Sequence, residues 1–137
     1  MGRVLAIDYG LKRTGLAVTD PLRIIATALT TVETSQLLAY LKSYFGKEQV
    51  DEVIIGLPRQ LNNRESDIAP AVRRFMDRFE KTFPGKPLRA VDERFTSAIA
   101  QRAMIEGGMK KKNRRVKENV DMISATIILQ SYMESIR

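Results

Sequence analysis

The chain has 137 residues, of which 44% are apolar and 28% charged, with no cysteine, no histidine and a formal charge of +7 from 23 basic and 16 acidic side chains. That length fits one domain, the composition excludes a disordered polymer, and the missing residue types exclude disulfides, thiolate zinc sites and imidazole acid–base chemistry. No apolar run approaches the roughly 20 residues of a membrane-spanning helix and the N-terminus enters a strand directly, so a cytoplasmic protein with polyanionic partners and no membrane partner is expected.

Residues 3–8 (RVLAID) are a short, continuously apolar run suited to a central strand, and 14–20 (TGLAVTD) are a second. Gly10, Lys12, Arg13 and Gly15 supply a hairpin-like turn between them. Pro21 breaks the ladder, and the β-branched run 24–32 (IIATALTTV) predicts a third strand, making an antiparallel meander. Thr34 or Ser35 is placed to cap a helix whose apolar face is Leu37, Leu38, Leu41, Tyr44 and Phe45 and whose end is Gly46. Residues 51–58 (DEVIIGLP) predict a fourth strand, stopped by Gly56 and Pro58. The polar stretch 59–67 leads into a helix with Ile68, Val72, Phe75, Phe79 and Phe83 as its stripe and Pro70 in its first turn.

Pro84, Gly85 and Pro87 end that helix, and residues 88–91 predict a fifth strand that delivers DERFTS at 92–97. Thr96 or Ser97 can cap a short helix to about Ile105, which Gly107 and Gly108 break. KKKNRRVK follows at 110–117, with six basic residues in eight. The last stretch, 119–136, is apolar almost all round and predicts a helix buried against the sheet, with Asp121 in its first turn. The expected order is βββαβαβαα in a single domain over residues 1–137, an α/β chain without internal repeats or linkers.

Three carboxylate positions stand out: Asp8 ending the first strand, Asp92 and Glu93 ending the last, and Asp121 near the start of the final helix. Strand ends and a helix packed on one sheet can converge, and clustered carboxylates are tolerated only when a hard divalent cation or a fixed Lys or Arg neutralises them. An all-oxygen set suits Mg²⁺ or Mn²⁺, and two such ions about 4 Å apart stabilise the attacking and leaving oxygens of a phosphoryl displacement. Each acid also has a simpler reading. Asp8 can bond the turn backbone near Gly10, Glu93 can pair with Arg94, and Asp121 can favour the positive end of its helix. The metal site explains all three together.

The stretches AIDYGLKRTGLAVTDP, VIIGLP, VDERFTS and VDMISATIILQSY resemble, in order and spacing, the D-x-G-x-K-R-x-G, G-L-P, D-E-R-x-T-[TS] and D-x-x-[AS]-A-x-x-I-L-Q motifs of the YqgF/RuvX family. The resemblance spans nearly the whole chain. It implies an RNase H-like fold, here a mixed five-stranded sheet with an antiparallel meander plus parallel strands flanked by helices. It also implies a bacterial nuclease of the Holliday-junction-resolvase-like or pre-16S rRNA type. By motif match Asp8, Glu93 and Asp121 are the implied metal-binding catalytic acids, with Asp92 as the adjacent alternative. The chain departs from the family after G-L-P, reading RQLNNRES where an acid–glycine turn is common.

Lys12 and Arg13 can project from the glycine turn toward a phosphate or form a solvated hairpin tip. Arg94 can hold a phosphate bidentately or clamp the acids, and Thr96 can cap a helix or touch substrate. Lys110, Lys111, Lys112, Arg114, Arg115 and Lys117 are placed to grip backbone phosphates, or to form a solvated charged face. The expected partner is nucleic acid, precursor rRNA or branched DNA, bound by a monomer or weak homodimer. A D-x-G strand and phosphate hairpin also open the ATP-binding lobes of sugar kinases, actin and Hsp70 chaperones, but one domain cannot close two lobes around ATP. The stronger rival is a non-catalytic RNA-binding or ribosome maturation factor on the same fold.

Overall fold

The computed structural model describes residues 2–57, 68–92 and 115–136. Strand β1 (Arg3–Asp8) runs through the middle of a five-stranded sheet of order β3-β2-β1-β4-β5. It pairs antiparallel with β2 (Arg13–Thr19), which pairs antiparallel with β3 (Ala26–Glu33), so the expected meander is present. On its other side β1 runs parallel to β4 (Val50–Leu57), and β4 runs parallel to β5 (Leu88–Asp92). A 3₁₀ turn (Thr34–Gln36) and helix α1 (Leu37–Lys47) join β3 to β4, helix α2 (Ala69–Thr82) precedes β5, and helix α3 (Arg115–Ser135) closes the chain.

The sheet is apolar on both faces because helices cover both. Leu5, Ile7, Leu16 and Ile55 pack one face against Leu37 and Leu41 of α1 and Val72, Phe75 and Phe79 of α2. Val4, Ala6, Ala17 and Ile54 pack the other against Ala125, Ile128, Leu129 and Met133 of α3. Three alanines in this second core let α3 lie close to the strands. Pro70 sits in the first turn of α2 as expected, where its missing N–H costs nothing.

Several boundaries differ from the sequence expectations for identifiable reasons. The third strand starts at Ala26 and not at Ile24, because Asp20 holds residues 20–25 in a loop. Its Oδ1 accepts from the Ile24 and Ile25 N–H groups at 2.7 and 2.8 Å, and Arg23 there has φ 58°. The hydroxyl of Thr34 does not cap a helix: it donates to the Gly10 carbonyl at 2.6 Å, and α1 begins at Leu37 without a side-chain cap. Helix α1 runs through Gly46 to Lys47. The last helix starts at Arg115, four residues earlier than predicted, so Arg115 and Lys117 belong to it and Asp121 is past its first turn. That weakens a purely dipolar explanation of Asp121, since the helix field falls off within the first turn. The short helix expected to end near Ile105 lies outside the described residues.

Candidate functional site

Asp8 is the last residue of β1, partly buried at the end of a strand whose preceding four residues are fully buried. Successive strand residues face opposite sides, so Asp8 falls on the α3 face with Val4 and Ala6, while Tyr9 packs on the other face with its ring centroid 5.2 Å from that of Phe75. Both strands beside Asp8 carry glycine at its level. Gly15 is its register partner on β2, and on β4 the Ile7–Ile55 pair is followed by Gly56. Registered neighbours project to the same face, so two missing side chains leave room next to this carboxylate where its neighbours would otherwise crowd it.

Beyond Asp8 the chain turns through Gly10, Leu11 and Lys12 into β2. A Cβ at Gly10 would collide with the Arg13 carbonyl oxygen, so glycine is required there. The fully buried Thr14 hydroxyl shares a 2.9 Å hydrogen bond with the Thr34 hydroxyl, and the Thr34 N–H donates to the Lys12 carbonyl at 2.9 Å. Thr34 therefore fastens the hairpin tip to the end of β3. The tip presents an exposed Lys12 and a half-buried Arg13, and both line an open cavity of about 580 Å³ with Leu11, Thr31 and Glu33.

The other acids come from β5 and α3. Asp92 ends β5 in register with Leu57, at the same end of the sheet as Asp8 and two strands away. Helix α3 runs opposite to β1: its C-terminal Tyr132 donates to Glu52 Oε2 at 2.8 Å, and Glu52 is the register partner of Val4. From Tyr132 back to position 121 the helix rises about 16 Å, and from Val4 to Asp8 the strand rises about 13 Å. Position 121 thus returns to the level of Asp8. It lies one turn before Ala125 and two before Leu129, both of which pack against the sheet.

Glu93, Arg94, Thr96, Lys110, Lys111, Lys112 and Arg114 lie outside the described residues, and Arg115 and Lys117 are placed only as backbone of the first turn of α3. Among the described residues no group of three or more acids is positioned to hold a metal ion. The sequence expectations did not include a second cavity, of about 270 Å³, lined by Tyr9, Leu11, Ser35, Leu38, Phe75 and Arg78 on the opposite side of the β1 end. Its signal was present in the alternation that sends Tyr9 away from Asp8 and in the three-residue spacing of Phe75 and Arg78.

A central strand ending in an acid, a glycine hairpin after it, and a parallel strand and a helix returning to the same end define an RNase H-like fold. Thermus thermophilus RuvC in complex with a Holliday junction substrate superposes with TM-score 0.58 at 18% identity, over 97% of this chain and 94% of that one. The fowlpox virus resolvase in complex with Holliday junction DNA gives 0.55 at 15% identity, over 98% of both chains. The RuvX family model, described as Holliday junction resolvase, matches residues 2–135, and the chain belongs to that family. Curated relatives named "Putative pre-16S rRNA nuclease" are 56% identical in Phocaeicola vulgatus, over 98% of this chain and 97% of the relative, and 53% identical in Bacteroides thetaiotaomicron, over 100% and 99%.

Proposed function

We propose that the chain is a divalent-metal-dependent endonuclease that hydrolyses phosphodiester bonds of structured nucleic acid, in pre-16S rRNA processing or in resolution of branched DNA, with Asp8, Glu93 and Asp121 as its catalytic acids. A nuclease role follows from the family and its relatives. The observation that carries the assignment of the acids is the placement of Asp8 at the glycine-flanked end of β1, level with position 121 of α3 and with the end of β5. Between Asp92 and Glu93, the match to the D-E-R-x-T-[TS] motif favours Glu93.

The donor set fits Mg²⁺ or Mn²⁺, because the chain offers carboxylate oxygens and lacks both Cys and His. When bound, such an ion polarises the phosphoryl oxygen and lowers the pKa of the attacking water. The chain supplies the rest. Lys12 and Arg13, on a tip fixed by Thr34, attract and orient the phosphate beside Asp8. Arg94 offers a fork for a second phosphate oxygen and Thr96 a hydroxyl, while Lys110, Lys111, Lys112, Arg114, Arg115 and Lys117 grip the strand away from the scissile bond. The protein acts in the cytoplasm as a monomer or weak homodimer.

The test is cleavage of a precursor-rRNA fragment and of a four-way DNA junction by purified protein with Mg²⁺ or Mn²⁺. Wild-type protein is expected to cut at least one of them, and Asp8→Asn, Glu93→Gln and Asp121→Asn to cut neither while folding normally. Retention of wild-type rates by all three variants would refute the assignment of the acids, and tight binding without cleavage by wild type would favour a ribosome maturation factor that only binds RNA.

A further inference from the structure

We propose that the cavity of about 270 Å³ on the α1/α2 side of the β1 end receives one unstacked nucleobase of the strand held at Asp8. The inference rests on the nuclease reading for the course of that strand and adds what the site selects. Tyr9 supplies an aromatic wall whose ring is fixed by Phe75, with centroids 5.2 Å apart and planes 35° from parallel. Leu11 and Leu38 supply apolar lining, while Ser35 and Arg78 add a hydroxyl-bearing and a guanidinium-bearing residue to it. An aromatic surface with a few edge donors and acceptors is what an extruded base needs, and a guanidinium can stack on the base or hold its phosphate.

The position of the cavity makes it part of the same site. Tyr9 follows Asp8 directly, with their Cα atoms about 3.8 Å apart, and the pleat sends the two side chains to opposite sides of one strand end. A nucleic-acid backbone crossing the hairpin can therefore set a phosphate at Asp8 while the neighbouring base drops to the Tyr9 side. Leu11 is 68% exposed and stands between this cavity and the one lined by Lys12 and Arg13. That position gives a purpose to a large apolar side chain on a cationic turn: it separates base from phosphate. A continuous duplex keeps its bases stacked, so the substrate implied is a strand with an unpaired nucleotide next to the scissile bond.

The experiment uses full-length Asp8→Asn protein and an RNA stem with a single-stranded tail, the stem end fixing the register, in which 2-aminopurine replaces tail residues one at a time. One position is expected to change its fluorescence strongly on binding. Leu11→Ala, Arg78→Ala and Tyr9→Ala should each abolish that change and weaken binding about ten-fold, in line with the loss of one stacked base. Leu11 and Arg78 are exposed, so their variants test the cavity even if Tyr9→Ala fails to fold. A uniform response along the tail, or a single-position response that survives Leu11→Ala and Arg78→Ala, would overturn the proposal. Because the protein used carries Asp8→Asn, a positional response together with no cleavage by wild type would defeat the nuclease reading alone, whereas cleavage by wild type with a uniform response would defeat the base cavity alone.

Discussion

Thr34 shows how a single side chain can decide the shape of the site. Its hydroxyl donates to the Gly10 carbonyl and meets the Thr14 hydroxyl, joining the end of β3 to a hairpin 20 or more residues earlier in the chain. Thr34→Val keeps the volume and removes both bonds, leaving the buried Thr14 hydroxyl without that partner. Urea denaturation should show a loss of about 1–3 kcal/mol, and cleavage should fall because Lys12 and Arg13 lose their fixed positions; unchanged stability would mean that the tip is held by the strands alone. At the far end of the sheet two carboxylates do similar work. The Ile25 N–H, followed by those of Ile24 and Leu22, holds the Asp20 carboxyl below its ordinary value of 3.8. The Gly2 N–H, then Gln49 and Arg23, does so for Asp51. A depressed folded-state value stabilises above the unfolded value and is lost as pH falls through the folded one. Thermal unfolding of the wild type should therefore shift down as pH drops below about 3.8, and less so in an Asp20→Asn/Asp51→Asn double variant. Equal shifts would assign the acid sensitivity to other groups.

Among the elements, α3 links the second core to the proposed acids, since the helix that fills that core also carries position 121. Ala125 is fully buried against Ala6 and Ala17, so Ala125→Leu should push the helix outward, costing about 1–3 kcal/mol and lowering cleavage more than a destabilisation of that size at an α1 position such as Leu41. Equal effects on cleavage would mean that the seat of α3 does not set the site. The five strands and three long helices of the described residues were legible in the sequence, because continuous apolar runs and the stripe Val72, Phe75 and Phe79 report burial directly. The edges were not. Ile24 and Ile25 read as strand by propensity, yet their N–H groups, with that of Leu22, donate to the Asp20 carboxylate and hold the segment in a loop with more than half of both isoleucines exposed. The start of α3 was hidden because basic residues mark no apolar face. Of the site, Asp8 was legible as a charge ending a buried strand, but its two glycine neighbours belong to different strands and became visible only with the register.

The whole molecule has a tied end and a working end. At one end Arg23, Gly2 and Asp51 interlock around the start of β1, and Tyr132 and Arg89 both reach Glu52. At the other, β1, β4 and β5 finish together beneath an open cationic hairpin. This division suits a rigid sheet that presents acids to a long polyanion, and the excess of seven positive charges supplies the attraction. Replacing Lys110, Lys111, Lys112, Arg114 and Arg115 with neutral residues should weaken nucleic-acid binding and flatten its salt dependence, by about 0.7 to 0.9 in log–log slope for each phosphate no longer neutralised. An unchanged slope would make that segment a solvated face. The central claim, that three acids distant in sequence share one metal-binding end of the sheet, is tested most directly by a crystal structure of the protein grown with Mn²⁺ and phased on its anomalous signal. The account predicts an anomalous peak beside β1, with carboxylate oxygens of Asp8, Glu93 and Asp121 within direct or one-water reach, direct metal–oxygen distances lying near 2.1–2.2 Å, roughly as for other small divalent ions. An Asp8 carboxylate more than about 10 Å from both other acids, too far for two ions about 4 Å apart to bridge, would contradict it.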